Sequence, residues 1–201
     1  MAVSAAQVKE ITGKKLYRIL SMGNSGEQKA ILANLRRGAG HAPEDMPELW
    51  GVLLGEIPEE MMSRSGKASR AEWAIFSAMT LFAVHQQGKD PTSNPMHKKD
   101  CRFGSSVAKL IHTEDETERV LRRFNIAVTA DDIAEAAQHM RGLIQLLQRE
   151  SIPLDYSALA ADLYTFQFPE YRSEVRLRWG QDFYREKNKL YSNESEDNKN
   201  E

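Results

Sequence analysis

Between Ile133 and Leu147 the apolar residues stand at Ile133, Ala136, Ala137, Met140, Leu143, Ile144 and Leu147. That is the i, i+3, i+4, i+7 spacing of a helix with one buried face. The same period recurs along nearly the whole chain, and no stretch alternates apolar and polar residues convincingly as a half-buried strand would. The fold class is therefore all-α. Candidate helices cover about 4–21, 26–37, 44–54, 69–87, 104–112, 114–127, 130–150, 156–166 and 170–189, about nine in all. Ser69 with Glu72, and Thr113 with Glu116, have the spacing of capping boxes. The acids at 131 and 132, just after Thr129, suit a helix N-terminus.

Two segments interrupt the helices. Gly55 to Lys67 is a loop with an acidic, methionine-containing middle. Gly88 to Phe103 carries two prolines and is long for a connection inside a compact domain, which marks it as mobile or functional. The expected organisation is two packed helical-bundle lobes, residues 1–88 and 104–190, joined by a basic loop over 89–103. Ser192 to Glu201 contains no apolar residue, so 191–201 reads as a disordered acidic tail.

A chain of 201 residues buries roughly 70% of its unfolded surface and needs no disulfide or metal to fold. The one cysteine, Cys101, fits a reducing compartment. The first residues are polar and lack a secretory core. The longest apolar run, Trp73 to Val84, is broken by Ser77 and Thr80 and is shorter than the about 20 residues of a membrane span. These features predict a cytoplasmic protein with no membrane contact.

Net charge is −2, but residues 186–201 hold five acids and three bases and so carry the whole excess. A balanced body can still present a cationic track if its acids lie on another face. The helix from Tyr171 to Arg185 places Tyr171, Val175, Trp179 and Phe183 on one apolar stripe. Arg172 and Arg176 line one margin, and Arg178 and Arg185 the other. That pattern predicts a packing face with cationic edges that hold something anionic. In the second loop Lys89, Lys98, Lys99 and Arg102 outnumber Asp90 and Asp100, and loop cations remain available for phosphates. In the helix at 114–127, Asp115 stands four before Arg119 and Glu118 four before Arg122, as self-pairing requires. Arg123 has no acid three or four residues away on either side. Leu35-Arg36-Arg37-Gly38-Ala39-Gly40 ends a helix, with Gly38 in the expected C′ place and its arginines favouring the dipole.

Nothing in the sequence favours catalysis. His97 and Cys101 are four apart but bracketed by Pro95 and Gly104, so a metal pair is not expected. Gly13-Lys14-Lys15 lacks the earlier glycine of a phosphate loop. No nucleophile has a base beside it in a recognisable pattern. A helix-turn-helix DNA-binding regulator reading through 104–127 is the rival binding module. A metal nuclease using Asp131, Asp132 and Glu135 is the rival enzyme, although those acids equally serve a helix start.

One ordered set of segments carries a likeness. It runs Leu35-Arg36-Arg37-Gly38, Pro47-Glu48-Leu49-Trp50, His85-Gln86-Gln87, Met96-His97 and Phe103-Gly104. It continues with Arg122-Arg123-Phe124-Asn125, His139-Met140-Arg141-Gly142, Ile152-Pro153-Leu154-Asp155-Tyr156 and Val175 through Tyr184. In this order the chain resembles the CasB family, the small subunit of the type I-E CRISPR surveillance complex, Cascade. The resemblance implies an all-helical, non-enzymatic subunit with no cofactor and no small-molecule substrate. Its implied partners are the backbones of guide RNA and target DNA, the large and backbone subunits, and a second copy of itself. It implies stabilisation of the opened target, the R-loop, in antiviral defence. Carried over by position, the implied nucleic-acid-binding residues are Arg36, Arg37, Lys98, Lys99, Arg102, Arg119, Arg122, Arg123, Arg141, Arg172 and Arg176. The 55–67 insertion and the acidic tail lie outside the likeness.

Overall fold

The computed structural model describes residues 3–197, which contain nine α-helices and no strand. α1 spans Ala5–Leu20, α2 Gly26–Gly38, α3 Trp50–Leu53, α4 Arg70–His85 and α5 Phe103–Ala108. α6 spans Glu114–Thr129, α7 Ile133–Glu150, α8 Tyr156–Phe166 and α9 Pro169–Asp197. The fold is all-α, as the periodicity predicts. No described helix is long and apolar enough to cross a membrane.

Local chemistry sets the helix ends. Ser69 and Glu72 form the full capping box that starts α4. Thr113 does not cap α6. Glu116 instead accepts the His112 N–H at 3.0 Å, one residue further back than the box requires. α7 starts on Asp132, which accepts the Glu135 N–H at 2.8 Å, while Glu135 accepts the Asp131 N–H at 2.7 Å. The single helix expected over 44–54 is replaced by 3₁₀ turns at Pro43–Asp45 and Pro47–Leu49, followed by the four-residue α3. Met46, ahead of Pro47, is pushed out of helical backbone to φ −122°, ψ 64°, because a following proline disfavours the α region.

α4 is apolar nearly all round and lies at the centre, with α2, α7 and α8 packed on it. α1 packs along α8. Elements from both sides of residue 88 thus share one buried cluster. The 88–103 connection is tied down along its length. Gln86 accepts the Met96 N–H at 2.9 Å and donates to the Lys89 and Asn94 carbonyls, each at 3.1 Å. Asp90 accepts the Thr92 and Ser93 N–H groups. Met96 to Lys98 runs beside Leu154 through two backbone hydrogen bonds. These bonds explain the length of the segment without requiring mobility.

α9 buries Val175, Trp179 and Phe183 completely, whereas Tyr171, the expected fourth member of the stripe, is 48% exposed. The Trp179 ring stacks on Phe166 and meets Phe103 edge-on. α5 lies so close that a Cβ at Gly104 would stand 2.0 Å from the Trp179 carbonyl oxygen. α9 continues past residue 190, where the tail was expected to begin. Glu186 to Glu201 contains no glycine or proline to stop a helix. Residues 198–201 of that expected tail lie outside the described residues.

Candidate nucleic-acid interface

α6 lies against α7 and buries Val120, Phe124 and Ala127. Between the two helices run two adjoining grooves of about 450 and 350 Å³. Arg123 and Ile126 from α6, with Gln138, His139 and Arg149 from α7, line the first. Arg119, Arg123, His112 and Arg149 line the second, together with Glu116 and Glu150. Arg123, Leu146 and Arg149 border both.

Of the two carboxylates lining the second groove, Glu116 is held by an arginine. Arg119 pairs with Glu116 at 2.9 Å rather than with Asp115 as the sequence spacing predicts. His112 stands 3.8 Å from Glu150, and His139 3.6 Å from Glu135. Arg122 is exposed on the outer side of α6, and the expected pair with Glu118 does not form. Arg123 and Arg149 are exposed as well, and among the described residues neither makes an ion pair. Arg149 was not among the expected residues. It lies opposite the apolar face of α7, where sequence alone does not distinguish it from any solvated cation.

The end of α2 adjoins the first groove. Gly40 has φ +94°, and a Cβ there would come 3.3 Å from Gln138 Oε1, a groove residue, and 3.6 Å from Arg141 Nη1. Arg141 donates to the Ala39 carbonyl at 3.1 Å and so closes the C-terminus of α2. Arg36 and Arg37 stand in the last turn of α2, with Arg37 hydrogen-bonded to Asn34. Gly38 is not the C′ residue expected. It is the last helical residue, and a Cβ on it would stand 2.6 Å from Leu49 Cδ1, so close packing rather than capping requires a glycine. Of the expected arginines, Arg119 and Arg123 line the grooves, Arg141 stands beside them at the end of α2, and Arg36, Arg37 and Arg122 are not among the lining residues.

The remaining candidates lie elsewhere. Lys98 and Lys99 are exposed on the loop beside Leu154. Arg102 reaches Asp182 of α9, Nε to Oδ2 3.4 Å. Arg172 donates to the Phe166 carbonyl at 3.1 Å, at the end of α8. Arg176 donates to the Thr129 and Ala130 carbonyls at 3.2 and 2.8 Å, at the end of α6. Both lie over the Phe166 ring at 5.2 and 5.7 Å. On the other margin Arg178 pairs with Asp162 at 2.7 Å and Arg185 with Asp182 at 3.2 Å. Asp162 also accepts the Trp179 indole N–H at 2.8 Å, and its burial raises its pKa despite Arg178 beside it. The edges of α9, expected to hold an external anion, thus also engage the protein's own carbonyls and carboxylates. Asp182 lies three residues before Arg185 in α9 itself, whereas the partners of Arg172, Arg176 and Arg178 lie on other elements, beyond the reach of i, i+4 reasoning.

The rival readings find less support. Asp131, Asp132 and Glu135 build the start of α7. Among the described residues no cluster of three or more His, Cys, Asp and Glu side chains could hold a metal ion. His97 accepts the Tyr156 N–H at 3.2 Å. α5, the first helix of the supposed helix-turn-helix, has six residues and is mostly buried against α9.

No curated protein matches the chain in sequence. Solved structures do. CasB from Thermobifida fusca is 30% identical, with a TM-score of 0.74, covering 88% of this chain and 97% of that one. A chain of a CRISPR RNA-guided surveillance complex shares the fold at 19% identity and a TM-score of 0.73, covering 92% of this chain and 98% of that one. CasB from M. ruber shares it at 23% identity and a TM-score of 0.63, covering 88% and 94%. Residues 31–184 match the family of CRISPR-associated protein Cse2, and the chain belongs to that family.

Proposed function

We propose that this protein is the non-enzymatic small subunit of a cytoplasmic type I-E Cascade, and that its α6–α7 surface binds nucleic-acid backbone without reading sequence. The observation that carries this reading is the pair Arg123 and Arg149. They come from different helices, border the same two grooves, and among the described residues have no carboxylate partner. Unpaired guanidinium groups in a groove suit phosphate oxygens, which they can contact in a bidentate manner. Arg36, Arg37 and Arg122 extend the surface. Lys98, Lys99 and Arg102 offer further contacts on the loop, and Arg119 does so while shared with Glu116. Arg141, Arg172 and Arg176 brace helix ends, and any contact they make to a strand uses the donors left over.

In this role the subunit tips a near-balanced exchange. Pairing a guide with one DNA strand costs about what it returns, so backbone contacts decide whether the opened target persists. Sequence is read by base pairing, and the protein need supply only charge. The large and backbone subunits and a second copy of this chain would be its neighbours.

The test is assembly of the complex with Arg123→Glu/Arg149→Glu and titration with target duplex across a salt series. Five phosphate contacts to a single strand predict a log–log salt slope near −3.5, from about −0.7 per contact. The double variant should flatten the slope by about 1.4 and weaken target binding. An unchanged slope and affinity would remove this surface from the interface.

A further inference from the structure

We propose that a second, oppositely charged surface receives a partner protein: the cleft beside Trp50 docks an apolar side chain carried on a basic segment. The cleft, of about 220 Å³, lies between α3, the 63–68 loop and α4. Leu53, Ile57 and Phe76 form its buried walls. Trp50 forms its lip and is 45% exposed, with the indole N–H fixed on the Pro43 carbonyl at 3.0 Å. Glu72 shapes the far wall and is not free to bind, because it accepts the N–H groups of Ser63 and Ser69. A held aromatic over an apolar floor is the form of an interface anchor site. The volume falls below the about 300–1,000 Å³ of small-molecule sites, which favours an anchoring side chain over a cofactor.

Charge selects the occupant. From Glu44 to Glu60 the chain holds six acids and no base, and all six are exposed. Glu56 pairs with Arg18 and Glu59 with Arg64. Glu44, at the cleft itself, and Asp45, Glu48 and Glu60 make no ion pair among the described residues. Of the lining residues only Lys67 is basic. Such a field repels phosphate chains and attracts a cationic peptide. The surface therefore complements the α6–α7 grooves rather than extending them. It includes the 55–67 insertion, to which the CasB likeness assigns no role.

The test uses the full chain and two short fluorescent peptides, each with a central Phe-Leu pair, one flanked by lysines and one by glutamates. The lysine peptide should bind and the glutamate peptide should not. Ala68→Trp, which fills the cleft, and Glu44→Lys, which reverses its lip, should each weaken binding about tenfold. Should Ala68→Trp fail to fold, Glu44→Lys decides alone, since Glu44 is exposed and unpaired. The proposal falls if neither peptide binds, if both bind equally, or if the folded variants bind as well as the parent. None of those results would touch the backbone-binding reading, which rests on other helices.

Discussion

Arg123 and Arg176 show two uses of one side chain. Arg123 borders a groove and makes no ion pair among the described residues. Removing its charge should cost the fold almost nothing, as surface changes usually stay within about 0.5 kcal/mol. Arg123→Glu should therefore leave the melting temperature in place while weakening target binding by the assembled complex. A variant that melts early would show instead that Arg123 is structural. Arg176 donates to two carbonyls at the end of α6, one of them at 2.8 Å. Hydrogen bonds to a charged group are worth about 1.5–3 kcal/mol. Arg176→Met should lower unfolding free energy by an amount of that order in urea titrations, and equal stability of the two proteins would dismiss the brace. Trp179→Ala should cost more, about 3–5 kcal/mol, because the ring is fully buried and its N–H satisfies the buried Asp162.

At the scale of elements, α5 and α9 meet backbone to backbone. Gly104 permits it, for a methyl group there would overlap the Trp179 carbonyl and crowd the Phe183 nitrogen at 2.8 Å. Both are backbone atoms, so no flexible side chain can yield. Gly104→Ala should force the helices apart and cost at least the about 1–3 kcal/mol of an overpacked core. It should also quench or shift Trp179 emission, and a variant with the parent's stability and spectrum would refute the contact. The sequence shows Gly104 only as a break before a helix. It shows far more of what depends on local order: the apolar face of α7, the Ser69 start of α4, and the bounds of α8 all follow from spacing. It does not show that Pro43 and Pro47 divide 44–54 into 3₁₀ turns. Nor does it show that Arg172, Arg176 and Arg178 answer to groups on other elements, since those partners lie outside the i, i+4 spacing. Arg123 was legible because its isolation is a local property; its neighbour Arg149 across the groove was not.

For the molecule as a whole, the joint between its earlier and later helices is a buried histidine. His85 ends α4, and its Nδ1 meets the Tyr156 hydroxyl at 2.8 Å at the start of α8. Burial lowers its pKa from 6.5 to about 4. The carbonyls of Leu147 and Ile152 oppose that shift, yet Nε2 has no partner at hydrogen-bonding distance. The folded protein therefore resists taking a proton that the unfolded chain accepts. Between pH 6.5 and about 4 the unfolded state binds more protons, so stability rises with pH across that window and is lost as pH falls through it. The loss from this group should be about 1 kcal/mol between pH 6.5 and 5.5. His97, whose pKa burial also lowers, acts with the same sign. Lowered carboxylates such as Asp155 act in the same direction but in the carboxylate range, nearer pH 4. Asp162, raised by burial, opposes them. Urea unfolding at pH 7.5, 6.5 and 5.5 should show the decline above the carboxylate range. His85→Gln should make the curve flatter there, because the replacement cannot titrate, whatever it does to absolute stability. A parent curve already flat from pH 7.5 to 5.5 would mean that His85 is not held neutral, and that the joint between α4 and α8 admits water.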